Sequence, residues 1–197
     1  MAKTPAVAAA ERAGVRFTLH AYPHAGGAEP YGPEAAAKLG VDPARVFKTL
    51  VVSLDGALAL ASLPVGAQVD LKALGKRAEL APAARAEAAT GYVAGGISPL
   101  GQRRALPAHL DASALAHTTV FVSAGRRGLE LELDPRDLAR LTGAEVRPLA
   151  VPPAAGRRTA ARARRPAGGE RDRPGNPAGG VPVAGAAGAG RPERPRV

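Results

Sequence analysis

Hydrophobic positions along residues 1–150 recur with the spacings of short strands and short helices, and the two kinds of segment are interspersed. The strongest strand signal is a pair of β-prone runs, residues 46–54 and 57–63, on either side of Asp55-Gly56. An Asp-Gly pair between two such runs is typical of a tight β-hairpin. Further strands are predicted at residues 16–22, 92–94, 118–123 and 129–133.

Five short helices are predicted from their start and stop signals. Thr4-Pro5 offers an N-cap followed by proline at the first helical position, and Gly14 offers the end of that helix. The other helices are predicted at residues 33–39, 70–75, 82–90 and 134–142. Because strands and helices lack regular βαβ spacing, we predict an α+β fold with a mixed, barrel-like β-sheet flanked by short helices, rather than a doubly wound parallel sheet.

Composition divides the chain near residue 150. Residues 151–197 hold 10 Lys+Arg, 3 Asp+Glu and no aromatic residue, whereas residues 1–150 hold 17 Lys+Arg and 14 Asp+Glu. Most of the net charge of +10 therefore belongs to the end of the chain. We predict one domain over residues 1–150 and a disordered Ala/Gly/Pro/Arg-rich tail over residues 151–197. The tail is either a basic linker or the product of a shifted reading frame in GC-rich coding DNA.

The residue types that the chain lacks narrow its chemistry. It has no cysteine, which excludes disulfides, thiolate zinc sites and an enzyme cysteine nucleophile. No run approaches 18 apolar residues, so neither a transmembrane helix nor a secretory signal is predicted, and a cytoplasmic monomer is expected. His20 and His24 have no carboxylate or third histidine beside them in the sequence, so we predict no metal site, and no cofactor is expected.

Lys48 is the most informative polar residue, because it lies in the middle of an apolar strand face. Side chains alternate between the two faces of a strand, so Val46, Lys48, Leu50 and Val52 share one face. A lysine there is costly unless it lines a cleft or has an anionic partner. It is interpreted either as a cation that holds a phosphate, a carboxyl group or a developing oxyanion, or as a sheet-edge lysine whose ammonium reaches water.

Residues 95–101, Gly-Gly-Ile-Ser-Pro-Leu-Gly, predict a loop. Glycines let a backbone approach a ligand closely and expose N–H groups as an anion-binding nest. The glycine spacing matches neither the Walker nor the dinucleotide-binding pattern, so a plain turn is the alternative interpretation. Arg126 and Arg127, at the tip of the last predicted hairpin, are either contacts to an RNA backbone or solvated surface charges. No convincing Ser-His-Asp set is present.

Five blocks of sequence occur in the order that YbaK/EbsC proteins show, and residues 1–150 resemble that family of aminoacyl-tRNA deacylases. The blocks are Thr4-Pro5-Ala6, Val46-Phe47-Lys48-Thr49-Leu50, Thr90-Gly91-Tyr92, residues 95–102 and residues 123–129. The resemblance implies a mixed, barrel-like sheet with flanking helices, similar to the editing domain of bacterial prolyl-tRNA synthetases. It also implies hydrolysis of the ester that joins a wrongly attached amino acid to tRNA, most typically in Cys-tRNA(Pro).

The same resemblance implies a set of site residues. Lys48 matches the family's essential lysine and Thr49 lies beside it, so these two are the predicted catalytic residues. The predicted substrate-binding residues are Tyr22, Tyr31, Gly95, Gly96, Ile97, Ser98, Pro99, Ser123 and Glu130. Glu130 departs from the aspartate usual in the family, so its acidic group reaches one methylene further. The segment of residues 70–87 is several residues shorter than the corresponding segment of the family.

The chemistry that the resemblance implies needs no enzyme nucleophile. In Cys-specific members the thiol of the bound cysteine attacks its own ester carbonyl, while Lys48 positions the ribose-phosphate end and loop N–H groups orient the carbonyl. The expected partners are mischarged tRNA and prolyl-tRNA synthetase. Two alternatives stay open: a deacylase for Ala-tRNA(Pro) that uses water as the attacker, and a non-catalytic tRNA-binding module to which the basic tail adds salt-sensitive affinity.

Overall fold

The computed structural model describes residues 3–24 and 31–152. Its helices are α1 Pro5–Arg12, α2 Tyr31–Leu39, α3 Leu71–Leu74, α4 Ala83–Thr90 and α5 Pro135–Thr142, with 3-10 helices at Pro43–Arg45 and Ala112–Ala116. Its strands are β1 Phe17–Ala21, β2 Val46–Leu54, β3 Ala57–Pro64, β4 Gln68–Val69, β5 Ala78–Leu80, β6 Ala108–Asp111, β7 Val120–Arg126, β8 Leu129–Leu133, β9 Glu145–Arg147 and β10 Ala150–Val151. The predicted tail, residues 151–197, lies outside the described residues apart from Val151 and Pro152.

Seven of these strands follow one another across the main sheet in the order β1-β8-β7-β2-β3-β6-β9, and β5 pairs with β2 beside that path. The pairs β2 with β7, β3 with β6 and β6 with β9 are parallel, and the remaining pairs are antiparallel. The short strands β4 and β10 pair separately. The predicted α+β fold with a mixed, barrel-like sheet and short flanking helices is therefore confirmed.

Local chemistry explains why the strongest predicted elements form. Strands β2 and β3 pair along their whole length around Asp55 and Gly56, both of which have positive φ (49° and 86°) as a tight hairpin turn requires. The Thr4 side chain caps α1 by accepting a hydrogen bond from the Val7 N–H (3.2 Å). The carboxylates of Asp70 and Asp134 cap α3 and α5 in the same way. The predicted hairpin and helix starts are confirmed at these positions.

The two faces of the sheet are covered by different helices. On one face, α1 packs against the buried side chains of Phe47, Val122 and Leu131. The Thr4 hydroxyl, at the start of α1, also donates a hydrogen bond to the Ala124 carbonyl in β7 (2.5 Å). On the other face, α2 packs against Val46, Phe121 and Val65. Neighbouring residues of β2, such as Val46 and Phe47, therefore belong to different cores, as side-chain alternation along a strand demands.

The main sheet is split along one edge of β2. Strand β7 pairs with β2 only at Val46 and Phe47, and β5 pairs with the same edge only from Val52 to Leu54. Within the described residues, no strand pairs with this edge at residues 48–50. Strand β7 has an irregular register between Ser123 and Arg126, and bulges of this kind bend a strand away from its neighbour. The split lies directly beside Lys48.

One predicted strand is wrong, and several short strands escape prediction. Residues 92–94 form an irregular segment with a bend and the start of a turn instead of a strand. Gly91 ends α4 in the left-handed conformation, and the buried Tyr92 ring then contacts the sheet, with its hydroxyl donating to the Leu100 carbonyl (2.8 Å). Tertiary packing thus overrides the β propensity of Tyr92 and Val93. The strands missed from sequence have two to four residues each, too few for a periodic pattern: β4, β5, β6, β9 and β10.

Candidate active site

A cavity of about 270 Å³ opens where the sheet is split between β2 and β7. This volume is at the small end of the range for ligand pockets, so the cavity suits a small group. Six of the predicted site residues line it: Lys48, Thr49, Gly95, Ile97, Ser123 and Glu130. The rest of the wall is mostly apolar and comes from Gly32, Pro33, Val46, Phe47, Leu50 and Val65.

Strand register places three polar residues in a row across this cavity. Val46 and Phe47 of β2 pair with Phe121 and Val122 of β7, so Lys48 and Ser123 come next in their strands. Ser123 pairs in turn with Glu130 of β8. Paired residues of neighbouring strands project to the same side of a sheet. Lys48, Ser123 and Glu130 therefore face α2 together, from three adjacent strands.

Lys48 is held by backbone carbonyls. Its ammonium donates hydrogen bonds to the carbonyls of Val65 (3.2 Å) and Ala67 (2.5 Å), which follow β3. Partial burial lowers the pKa of Lys48, because desolvation disfavours its charged form. Its charge is anchored without an ion pair among the described residues, so the ammonium retains attraction for an incoming anion or oxyanion.

Glu130 is the least satisfied polar group in the cavity. Its side chain is buried (7% exposed), and within the described residues its carboxyl group has no hydrogen bond or ion pair. Burial raises the pKa of Glu130 to about 8, since removal from water disfavours the carboxylate. The carboxyl group is therefore mostly protonated at neutral pH. It does not anchor Lys48, which is bound by carbonyls instead.

The glycine loop contributes backbone to the cavity and side chains to the interior. Gly95 and Ile97 line the cavity. Ser98 is completely buried, and its hydroxyl accepts a hydrogen bond from the Leu100 N–H (3.2 Å), which is a structural role within the loop. Pro99 lines a different cavity beside Leu100. Of these predicted loop residues, Gly95 and Ile97 therefore line the site, and Ser98 and Pro99 do not.

The loop is fastened to the tip of the β7–β8 hairpin. The guanidinium group of Arg127 donates two hydrogen bonds to the Ala94 carbonyl, from Nε (3.0 Å) and from the terminal nitrogen (2.8 Å). Gly96 lies so close to this tip that a Cβ atom there would be 3.0 Å from the Cα atom of Arg126. Arg127 thus holds the residue directly before Gly95 in place, which neither sequence interpretation of the arginine pair includes.

Of the predicted residues not yet described, Thr49 lines the cavity and Tyr22 does not. Thr49 is buried, and its hydroxyl pairs with that of Ser62 (3.2 Å). Tyr22 lies outside the cavity wall; burial, followed by the negative charges of Glu130 and Glu34, raises the pKa of its phenol to about 12. Tyr31 begins α2, and its side chain is outside the described part of the structure.

The apolar wall was missed by sequence reasoning, because its members come from three separated segments. Gly32 carries one usable signal. A Cβ atom at this position would lie 2.3 Å from Cγ1 of Val65, so only glycine lets α2 approach the end of β3 this closely. That approach forms one side of the cavity. A glycine inside a predicted helix indicates a close contact of this kind, but it does not show which segment of the chain makes the contact.

Two further findings concern the described residues alone. Across residues 3–24 and 31–152, no three histidine or acidic side chains come together as a metal site would require. No helix in the same part of the chain is long and apolar enough to cross a membrane.

Comparison with known proteins identifies the family. The aminoacyl-tRNA editing domain family matches residues 31–141. A protein of Enterococcus faecalis, EbsC, assigned as a Cys-tRNA(Pro)/Cys-tRNA(Cys) deacylase, is 36% identical over 116 residues, which cover 56% of this chain and 71% of the relative. The chain therefore belongs to the aminoacyl-tRNA editing domain family. The resemblance to YbaK/EbsC proteins and the predicted class of enzyme, an aminoacyl-tRNA deacylase, are confirmed.

Solved structures agree with this assignment. A crystal structure assigned to a trans-editing enzyme for prolyl-tRNA synthetase matches with a TM-score of 0.67 and 25% identity, covering 75% of this chain and 95% of the other. The crystal structure of a hypothetical protein matches with a TM-score of 0.65 and 27% identity, covering 72% of this chain and 96% of the other.

Proposed function

We propose that this protein hydrolyses mischarged tRNA in trans, that its substrate is Cys-tRNA(Pro), and that the substrate's own thiol performs the attack. The observation that carries this proposal is the small cavity between β2 and β7, which presents Lys48 and the glycine loop but no cysteine. Among the described residues, the hydroxyl groups of Thr49 and Ser123 are hydrogen-bonded to Ser62 and to the Gly125 N–H, and neither is bonded to a general base that would activate it as a nucleophile. The names of the Enterococcus relative and of the similar trans-editing enzyme support tRNA(Pro) as the tRNA.

The proposed reaction balances with water as its one further reactant. The cysteinyl thiol adds to the ester carbonyl, a carbon–sulfur bond forms, and the bond from the carbonyl carbon to the ribose oxygen breaks. The thiol proton goes to the ribose oxygen, so tRNA leaves with a free hydroxyl and the amino acid leaves as a cyclic thioester that water opens. The protein's contribution is to hold the ester in an attack geometry and to stabilise the developing oxyanion.

The residues of the cavity divide this work. Lys48 Nζ, fixed by the Val65 and Ala67 carbonyls, positions the ribose-phosphate end of the substrate. The backbone at Gly95 and Ile97 lies against the aminoacyl ester. The apolar wall, which includes Val65 and Leu50, surrounds the amino acid side chain and excludes water.

The test is release of amino acid from Cys-tRNA(Pro), S-methylcysteinyl-tRNA(Pro) and Ala-tRNA(Pro) by the purified protein, its Lys48→Ala variant and the surface control Lys72→Ala. Hydrolysis of the cysteinyl substrate alone, lost in Lys48→Ala and kept in Lys72→Ala, supports the proposal. Equal hydrolysis of the S-methylated substrate contradicts thiol assistance, because that sulfur has no proton to lose. Hydrolysis of Ala-tRNA(Pro) alone makes the alanyl substrate and a water attacker the better assignment.

We further propose that prolyl-tRNA synthetase is a partner that hands over the mischarged tRNA. The similar structure assigned to a trans-editing enzyme for that synthetase supports this. The rate of Cys-tRNA(Pro) hydrolysis at limiting tRNA should rise when prolyl-tRNA synthetase is added and should be unchanged by another synthetase. An equal effect of both synthetases would contradict a specific partnership.

A further inference from the structure

The two charged residues of the cavity differ in how well the protein itself satisfies them. The ammonium group of Lys48 already has two carbonyl acceptors. The carboxyl group of Glu130 is buried, lines the cavity, and has no hydrogen-bond or ion-pair partner within the described residues. A carboxyl group that lines a cavity without a protein partner can be completed by a polar group of a ligand. Glu130 is therefore the residue of the cavity wall most in need of a partner.

The position of Glu130 fits a cation at one end of the bound substrate. Lys48 on β2 and Glu130 on β8 line the same cavity from the two sides of β7. Ser123 lies between them on β7. An aminoacyl ester carries its carbonyl group and its α-ammonium group on adjacent carbon atoms. In the proposed pose the ribose-phosphate end lies at Lys48 and the carbonyl at the glycine loop, which leaves Glu130 as the acidic group of the cavity that can receive the ammonium group.

We propose that Glu130 binds the α-ammonium group of the aminoacyl ester and thereby makes a free amino group a requirement for binding. This inference rests on the proposed deacylase function and adds a specificity to it. An ester whose nitrogen is acylated, as in a peptidyl-tRNA or a formylated initiator tRNA, carries no positive charge at that position. The site would then bind peptidyl-tRNA and formylated initiator tRNA poorly, and these tRNAs would not be hydrolysed.

The proton balance of this contact has a measurable consequence. In the free protein Glu130 is mostly protonated at pH 7, because burial raises its pKa to about 8. An α-amino group has a pKa of about 8 and is also mostly protonated there. In the bound pair only the ammonium group carries its titratable proton. The two separated groups together carry nearly two titratable protons, one on Glu130 and one on the amino group. Binding of an ammonium ligand at pH 7 should therefore release close to one proton, and affinity should rise from pH 6 to about pH 8.

The experiment uses two hydrolysis-resistant probes that differ only at the α-position. One is 3′-deoxy-3′-(cysteinylamino)adenosine, and the other carries a hydroxyl group in place of the α-ammonium group. Their binding to the full-length protein, to Glu130→Gln and to the surface control Glu79→Gln is measured by calorimetry at pH 7 in buffers of different ionisation enthalpy. Circular dichroism establishes that all three proteins are folded.

We expect the wild-type protein and Glu79→Gln to bind the ammonium probe at least about ten-fold more tightly than the hydroxyl probe, with proton release only for the former. We expect Glu130→Gln to bind both probes about equally and to release no proton. Equal binding of the two probes by a wild-type protein that hydrolyses Cys-tRNA(Pro) would overturn this inference and leave the deacylase function standing. A preference that survives in Glu130→Gln would also overturn it. Failure of the wild-type protein both to bind either probe and to hydrolyse any aminoacyl-tRNA would overturn the proposed function and this inference together.

Discussion

Glu130 and Lys48 line one cavity without forming an ion pair with each other, and each is stabilised or strained in its own way. The ammonium group of Lys48 is stabilised by the hydrogen bonds that it donates to two carbonyl groups. Glu130 has no hydrogen-bond or ion-pair partner in the described part of the chain, and protonation lowers the free-energy cost of its burial. Keeping the two apart leaves the cavity with a fixed cation and an ionisable acid, which is the kind of environment in which functional groups acquire perturbed pKa values.

Glu130 should make the stability of the protein depend on pH. Its folded-state pKa of about 8 lies above the ordinary value of 4.5, so between these pH values the folded state binds more protons than the unfolded state. Stability contributed by the neutral form is present below pH 4.5 and is lost as pH rises toward 8, at about 1.4 kcal/mol for each unit of pKa difference. Glu130→Gln removes this loss, so its Tm should exceed that of the wild type at pH 8 and match it at pH 5.

Thermal unfolding at both pH values checks this prediction, with the exposed Glu79→Gln as the control. A difference between Glu130→Gln and the wild type that is the same at pH 5 and pH 8 would mean that ionisation of Glu130 is not its cause.

At the scale of elements, the site depends on how a loop, a hairpin and a helix are fastened around the split in the sheet. The glycine loop is attached to the β7–β8 hairpin through Arg127, and α2 approaches the end of β3 through Gly32. Neither attachment touches the reacting atoms as proposed. Both fix the position of groups that do, and small displacements of positioned groups can reduce rates by up to about a hundred-fold.

Arg127→Ala should lower kcat/KM for Cys-tRNA(Pro) by about ten-fold with little change in Tm. The reason is that the loop loses both hydrogen bonds at the Ala94 carbonyl, while the arginine itself is exposed and its removal leaves no cavity. Arg127→Lys, which has a donor but not the planar pair of N–H groups, should recover only part of the loss. Steady-state kinetics beside the exposed control Arg136→Ala checks the prediction, and unchanged kinetics in Arg127→Ala would refute the positioning role.

At the scale of the whole molecule, one buried carboxylate joins distant parts of the chain. Asp111, at the end of β6, accepts hydrogen bonds from the N–H and hydroxyl of Ser113 and from the N–H groups of Leu149 (2.7 Å) and Ala150 (2.8 Å). Burial alone would raise its pKa, but these hydrogen bonds outweigh it and hold the pKa of Asp111 below its usual value. The end of the described chain is thereby fixed to the end of β6, the strand next to the edge strand β9.

Asp111→Asn should destabilise the protein by about 2–4 kcal/mol, since an amide nitrogen cannot accept the hydrogen bonds that one carboxylate oxygen accepted. Because the pKa of Asp111 is lowered in the folded state, the stability it contributes is present at neutral pH and is lost as pH falls below about 4. Urea unfolding at pH 7 checks the size of the effect, with the exposed Asp55→Asn as the control. Equal stability of the two variants would contradict this account.

The two-part organisation of the chain stays a proposal with its own test. Truncation after Pro152 removes a net charge of +7 and leaves the described strands complete. The truncated protein should keep the wild-type kcat on Cys-tRNA(Pro), while its affinity for tRNA should weaken and depend less steeply on salt concentration, because fewer phosphate contacts release fewer counterions. Loss of all turnover on truncation would show that the tail belongs to the catalytic unit.

The sequence alone determined the main elements, the fold class and the family of this protein, because the features that predict them depend on interactions between residues close together in the chain. The Asp55-Gly56 turn, the helix caps at Thr4, Asp70 and Asp134, and the ordered blocks that revealed the family depend on residues adjacent in the chain. These signals predicted the hairpin, the helix starts, the mixed α+β fold and the class of enzyme. The predicted strand at residues 92–94 is wrong because the Tyr92 ring is buried against residues far away in the sequence, such as Ala124 and Gly125.

Only the tertiary structure decided the form of the site. Whether Lys48 meets a carboxylate or carbonyl groups, whether Ser98 faces the ligand or the interior, and which apolar residues wall the cavity all depend on strand register and on the split between β2 and β7. Register and bulges arise from contacts between segments far apart in sequence, so no local pattern encodes them. The same holds for Glu130, whose raised pKa comes from burial by the folded chain around it.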